Sequence, residues 1–160
     1  PLAGRIRHER QLPVELHLRD DEDDTAAHDL AIRVLREEGV PERGCDLHCF
    51  TQSLEVMAPF VELGCHIAFG GAVTFRRSDD IRSAACACPK NLLLSETDSP
   101  YMAPVPLRGW ECEPAMVAFS AALLADVRKA TLDAPREETY RALWENACTL
   151  FGLSPMCAAG

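Results

Sequence analysis

The sequence predicts an α/β protein built on a parallel sheet, and three observations carry that prediction. Short apolar runs alternate with stretches of helical periodicity over short connections. Three of the apolar runs end on chemistry-bearing side chains: Val14-Glu15-Leu16-His17, Cys45-Asp46-Leu47-His48, and Asn91-Leu92-Leu93-Leu94 leading into Ser95-Glu96-Thr97-Asp98. Parallel α/β folds keep their chemistry at the C-terminal ends of buried strands. The third is length: 160 residues make one domain, the right size for about half of a ~250-residue (βα)8 barrel.

Each element has its own signal. Pro13 to His17 is the first short strand. Thr25 to Glu38 follows as a helix, with Ala26, Leu30, Ile32, Val34 and Leu35 apolar and Gly39 as a stop. Cys45 to Cys49 reads as the second strand. Ser53 to Leu63 is helical up to Gly64, and Pro59 is expected to kink or shorten it. His66 to Phe69 is the third strand, running into Gly70-Gly71. Ser78-Asp79-Asp80 caps a helix through about Ala87, closed by Pro89. Asn91 to Glu96 is the fourth strand, and a proline-rich loop runs from Pro100 to Pro114. Two helices, Ala115 to Lys129 and Pro135 to Leu150, complete the chain.

Composition narrows the function classes. A net charge of −9 with no lysine- or arginine-rich block argues against gripping a phosphate backbone through basic residues alone. No apolar run approaches the ~20 residues of a membrane span, so no membrane partner is expected. The acid run Asp20-Asp21-Glu22-Asp23-Asp24 reads as a solvated loop and helix N-terminus. Eight cysteines lack any C-x-x-C pair, and Cys86-Ala87-Cys88 alone is a weak metal signal. They read as reduced, structural thiols, which places the protein in the cytoplasm. The first residue is Pro1 rather than Met, which reads as processing, excision or truncation.

In a barrel, loops at the strand ends converge on one mouth, so His17, His48 and Asp98 would face a common centre. Two neutral imidazoles and a carboxylate suit zinc, manganese or a similar divalent ion. Asp98 would bind that ion or take the proton of an attacking water. Arg19, two residues past His17, and Arg108, in the proline-rich loop, could hold a phosphate bidentately. The alternative for each is a surface charge or a structural pair with an acid such as Glu113. His8, His28 and His66 are given no functional role.

Longer motifs now become legible. His17-x-Arg19, His48-Cys49-Phe50, Gly71-x-Val73-Thr74-Phe75 and Leu92-Leu93-Leu94-x-Glu96-Thr97-Asp98-x-Pro100-Tyr101 occur in order. Ala103-Pro104-Val105-Pro106-x-Arg108-Gly109, Glu113-Pro114 and Asn146-Ala147-x-x-Leu150-Phe151-Gly152 follow. From about Leu12 to Leu153 the chain resembles the TatD family of metal-dependent deoxyribonucleases, in the amidohydrolase superfamily. The resemblance implies a TIM-barrel hydrolase that cuts phosphodiester bonds in DNA exonucleolytically, with one or two divalent ions (Zn, Mn or Mg). It makes His17 and His48 the metal-binding histidines after strands five and six. Asp98 becomes the metal-binding aspartate after strand eight, and Glu96 and Arg108 lie near the mouth.

The departures are informative. The family opens with a His-x-His strand and carries a glutamate after strand four; this chain has neither, so it resembles strands five to eight alone. Gln52, Ser95 and Cys112 also differ from the usual residues at their positions. Half a barrel leaves two sheet edges open, so self-association through those edges and weak or absent activity in isolation are both expected. Two other readings compete: a non-catalytic half-barrel that serves as an assembly module, and an amidohydrolase acting on a small ester or amide.

Overall fold

The computed structural model describes residues 12–21 and 24–154; His8, Glu22, Asp23 and Cys157 lie outside them. Four strands form one open sheet: β1 (Val14–His17), β2 (Cys45–His48), β3 (His66–Phe69) and β4 (Leu93–Ser95). Their spatial order is their sequence order, and every pairing is parallel. The connections are helical, as parallel pairing requires. They are α1 (Ala26–Glu38), α2 (Leu54–Glu62) and α3 (Asp79–Ala87), with α4 (Val117–Leu132) and α5 (Arg136–Phe151) after the last strand.

Strand alternation sorts the two faces. Cys45, Leu47, Ile67, Phe69 and Leu93 point into the main core, where they meet Met57, Phe60 and Leu124. Burying each large side chain contributes about 1.5–3 kcal/mol, so this layer carries most of the stability. The opposite face presents Glu15 and His17, which are exposed, beside Asp46 and His48. Ala68 and Leu94 on that face are covered by Leu150 of α5. Among the described residues, β1 bonds only to β2 and β4 only to β3, which leaves an edge open on each side.

Most elements lie where periodicity puts them, with four differences. β4 is shorter than Asn91–Glu96, because Lys90–Leu92 forms a 3-10 turn behind Pro89. Pro59 does not end α2, which continues to Glu62; the carbonyl its ring leaves without the usual partner belongs to exposed Glu55. α4 starts at Val117 after a 3-10 turn at Pro114–Met116 and extends to Leu132.

The fourth difference concerns the acid run, which is not wholly a solvated loop. Asp20 accepts hydrogen bonds from the N–H groups of Ala27 (2.7 Å) and His28 (3.3 Å). Its carboxylate also meets His28 Nδ1 at 2.5 Å, and both side chains are buried. That bond to His28 comes first in holding the Asp20 carboxyl below its usual range. It satisfies orphan donors at the start of α1 and leaves His28 a structural role.

Two buried polar side chains tie the last helices to α3 and to β4. Arg128 of α4 donates through Nη1 to the carbonyls of Ala85 (2.7 Å), Cys86 (3.3 Å) and Cys88 (3.0 Å), closing the C-terminus of α3. Asn146 of α5 donates to the carbonyls of Lys90 and Leu93, both at 2.8 Å, which fixes where β4 begins.

Candidate metal centre

The β1–β2 register sets His17 directly beside His48, with ring centroids 5.4 Å apart and planes 31° from parallel. β4 delivers the acids. Glu96 and Asp98 follow its last residue with the period of two that sends both side chains the same way. Glu96 Oε2 meets His48 Nδ1 at 2.7 Å, and its Oε1 accepts the Cys49 N–H at 2.6 Å. Asp98 Oδ1 lies 3.4 Å from His48 Nε2. One imidazole is therefore gripped at Nδ1 and presented through Nε2.

The Glu96 clamp also stabilises a strained backbone. Cys49 has φ 51, a left-handed conformation that turns the chain sharply past His48. Gly70 lies against Glu96, since a Cβ placed there would sit 3.4 Å from Oε1. Burial pushes the Glu96 carboxyl up to about 7, against the opposing pull of His48. Burial alone would lower the His48 pKa, but the charges and bonds of Glu96, with Glu15 and Asp98, raise it overall. Cys49 is no nucleophile: burial, then Glu96 and Asp98, push its thiol up to about 12.

A cavity of about 260 Å³ opens in front of these groups, lined by His17, Arg19, His48, Asp98 and Met102 among others. Arg19 is thus at the wall of this cavity. Arg108 is not among the lining residues; its guanidinium carbon sits 4.2 Å over the Phe75 ring, which fixes the loop that follows β4. His66 begins β3 at the other end of the sheet.

Whether this donor set fits a divalent ion can be tested on geometry. Tetrahedral ligands bonded at about 2.1 Å lie about 3.4 Å apart, and the His48 Nε2–Asp98 Oδ1 separation is 3.4 Å. Metal-ligating histidines almost always donate their other N–H to a carboxylate, as His48 can to Glu96. His17 supplies a third donor of the right kind alongside. Among the described residues, however, no three His, Cys, Asp or Glu side chains already form a group that could hold an ion. The residues present fit one side of a shell.

Below this layer, Asp46 faces Glu15 in register. Asp46 is 2% exposed, and its Oδ1 is buried without a hydrogen-bond partner. Burial, then Glu15, raises its pKa to about 6. Folded chain therefore binds more protons than unfolded chain between about pH 4 and 6, and stability falls as pH rises through that window. Asp46→Asn is expected to stabilise the protein by about 1–3 kcal/mol at neutral pH and to flatten this limb. Urea midpoints for both proteins at about pH 4 and 7 check it; an equal gap at both pH values would refute the cause assigned here.

A family model described as "TatD related DNase" matches residues 5–152. The chain belongs to the TatD-related DNase family. It is 42% identical over 147 residues to the uncharacterized metal-dependent hydrolase YcfH of Escherichia coli K12, covering 92% of this chain and 52% of that protein. It is 34% identical to the uncharacterized metal-dependent hydrolase YabD of Bacillus subtilis, covering 91% of this chain and 53% of that one. The crystal structure of YjjV, a TatD homolog from Escherichia coli K12, superposes with TM-score 0.82 at 30% identity, covering 94% of this chain and 54% of YjjV. The TatD-family hydrolase of Entamoeba histolytica, at 16% identity and TM-score 0.74, shares the fold. The chain spans about half the length of the curated relatives it matches.

In this member of the TatD-related family, His17, His48, Arg19 and Asp98 are the sequence-derived residues that the structure brings together around one cavity. Arg108 stands apart from them, against Phe75. The clamp made by Glu96 on the Cys49 N–H was not legible in the sequence. Its spacing of two from Asp98 was the available signal.

Proposed function

We propose that this chain is the strand-five-to-eight, C-terminal portion of a TIM-barrel hydrolase that cleaves phosphodiester bonds in DNA exonucleolytically with divalent metal. The observation that carries the reading is His48, held by Glu96 at Nδ1 and presented to Asp98 through Nε2, with His17 alongside. His17, His48 and Asp98 would hold Zn, Mn or Mg. A divalent ion held there would supply positive charge against a substrate phosphate and would lower the pKa of a water molecule. Glu96 sets the His48 tautomer; Asp98, where it is not a ligand, accepts the proton of the attacking water. Arg19 meets a substrate phosphate at the cavity wall. Arg108, stacked on Phe75, secures the rim and reaches phosphate only from there. No helix among the described residues is long and apolar enough to cross a membrane. We place the protein in the cytoplasm, where its thiols stay reduced.

The partly built shell predicts that the isolated chain binds divalent metal but cleaves DNA weakly or not at all. Titration of Zn and Mn into the chain should show stoichiometric binding that Asp98→Asn weakens at least tenfold. Cleavage of labelled DNA, of a simple phosphodiester and of a lactone would be measured alongside. No metal binding by the folded chain would sink the reading, and lactone hydrolysis ahead of phosphodiester hydrolysis would move it to a small-ester amidohydrolase. The open edges of β1 and β4 favour one second reading, a half-barrel assembly module that self-associates. A tight dimer that forms without metal and binds none would establish it.

A further inference from the structure

Two thiols lie at the end of the sheet away from the histidines and take no part in that site. Cys45 opens β2 and Cys65 immediately precedes β3. The ladder pairs Asp46 with His66 and Leu47 with Ile67; run back one step, it sets the two cysteines abreast. Neighbouring strands are about 4.8 Å apart, inside the 4.4–6.8 Å Cα range that a disulfide spans. Both side chains are 0% exposed and point into the same core, among Leu47, Phe60 and Ile67. Cys45 Sγ donates to Cys65 Sγ at 2.8 Å. The Cys65 N–H is held separately by the Phe60 carbonyl at 3.0 Å, so the backbone that aims its thiol is anchored. Other thiols face different groups: Cys49 the Met102 thioether, Cys88 and Cys112 backbone carbonyls.

We propose that Cys45 and Cys65 are a redox-active pair that closes to an intramolecular disulfide across β2 and β3 when the protein meets a peroxide. One thiolate attacks the peroxide, giving a sulfenic acid and releasing water (or an alcohol from an alkyl peroxide). The second thiol attacks that sulfur and expels water, so two thiols and one peroxide give one disulfide. The sulfurs are oxidised by two electrons and the peroxide is reduced by two. Complete burial makes local opening of the β2–β3 end the gate, so oxidation of the native protein is slow and oxidation during refolding fast. The link staples the base of the strand that carries His48 while leaving its C-terminal end untouched. It closes a loop around α2 in the unfolded chain, which raises the melting temperature.

The test treats the full chain with hydrogen peroxide, both native and during refolding, and alkylates the remaining thiols. Digestion with trypsin and a glutamate-specific protease separates Gly44–Glu55 from Leu63–Arg76. The expected result is these two peptides joined and lighter by two hydrogens, fragmentation placing the bond at Cys45 rather than Cys49, and a higher Tm reversed by reductant. Cys65→Ala should abolish the link and the Tm rise, while Cys86→Ser should keep both. Because Cys65→Ala alters the core, the wild-type map decides if that variant fails to fold. Recovery of Cys45 and Cys65 fully alkylated after oxidation would overturn the proposal, as would a link that lowers the Tm.

Discussion

Gly71→Ala is expected to destabilise the fold by about 3–5 kcal/mol. A Cβ at Gly71 would lie 1.9 Å from the Met102 carbonyl oxygen and 3.2 Å from the Met102 carbonyl carbon and the Pro104 nitrogen. All three are backbone atoms, so no rotamer change relieves the clash. The backbone cannot easily retreat. Met102 already sits at φ 55, and Thr74 ties the two segments by donating to the Gly71 carbonyl (2.6 Å) and accepting from the Val105 N–H (2.9 Å). Neighbouring Gly70 is the control: its Cβ would meet Glu96 Oε1 at 3.4 Å, the edge of ordinary van der Waals contact, so Gly70→Ala should be much milder. For a domain of this size the Gly71 loss corresponds to about 10 °C in Tm. Urea or thermal unfolding of both variants measures it, and a Gly71→Ala protein within about 1 kcal/mol of the parent would show the contact to be adjustable. The substitution should also disturb the candidate centre. Met102 lines its cavity, and the adjoining Tyr101 N–H holds the Asp98 carbonyl at 2.7 Å.

Glu96→Gln and Glu96→Ala should separate the two jobs of that residue. As a carboxylate, Glu96 accepts the His48 Nδ1 proton, so that Nε2 is the nitrogen whose lone pair would meet a metal ion in front of Asp98 once its own proton leaves. Glutamine keeps the shape and can still accept the Cys49 N–H through its carbonyl oxygen. Its amide then points an N–H at His48 Nδ1, which makes Nδ1 the acceptor and puts the proton on Nε2. A protonated Nε2 cannot ligate a metal. Glu96→Gln is therefore expected to lower divalent-metal affinity about 10–100-fold with Tm nearly unchanged. Glu96→Ala should lose the same affinity and also about 2–4 kcal/mol, because the left-handed Cys49 turn and its buried N–H lose their partner. Calorimetric metal titration and thermal unfolding, run on both variants, give the comparison. Full metal affinity in Glu96→Gln would mean that Glu96 does not set the His48 tautomer. That would remove the carboxylate–histidine pairing from the proposed mechanism.

Much of the architecture was readable before any coordinates, and the reasons are local. Strand positions followed from four-residue apolar runs such as Val14–His17 and His66–Phe69, and helix limits from Gly39, Gly64 and Pro89. His17 and His48 close β1 and β2 and Asp98 follows β4 by three residues, so chain direction alone dictates which end of the sheet they reach. What the sequence did not show has a cause as well. Asp20 looked like one of five solvated acids, yet it is the one that reaches the first turn of α1 and buried His28. Arg108 carried no sign of its partner Phe75, which lies on the loop after the neighbouring strand and stacks under its guanidinium.

The sequence by itself determined the alternation of strands and helices, the parallel direction of the sheet, and the imidazoles and carboxylates at its C-terminal edge. Only the tertiary structure decided which distant groups meet. It put Glu96 between His48 and the Cys49 N–H, Cys45 against Cys65, Arg128 over the carbonyls that end α3, and Gly71 under the Met102 carbonyl. The physical reason is that periodicity records the face a residue takes on its own element. The partner it finds there depends on register and packing between segments that, in these cases, lie 20 to 48 residues apart.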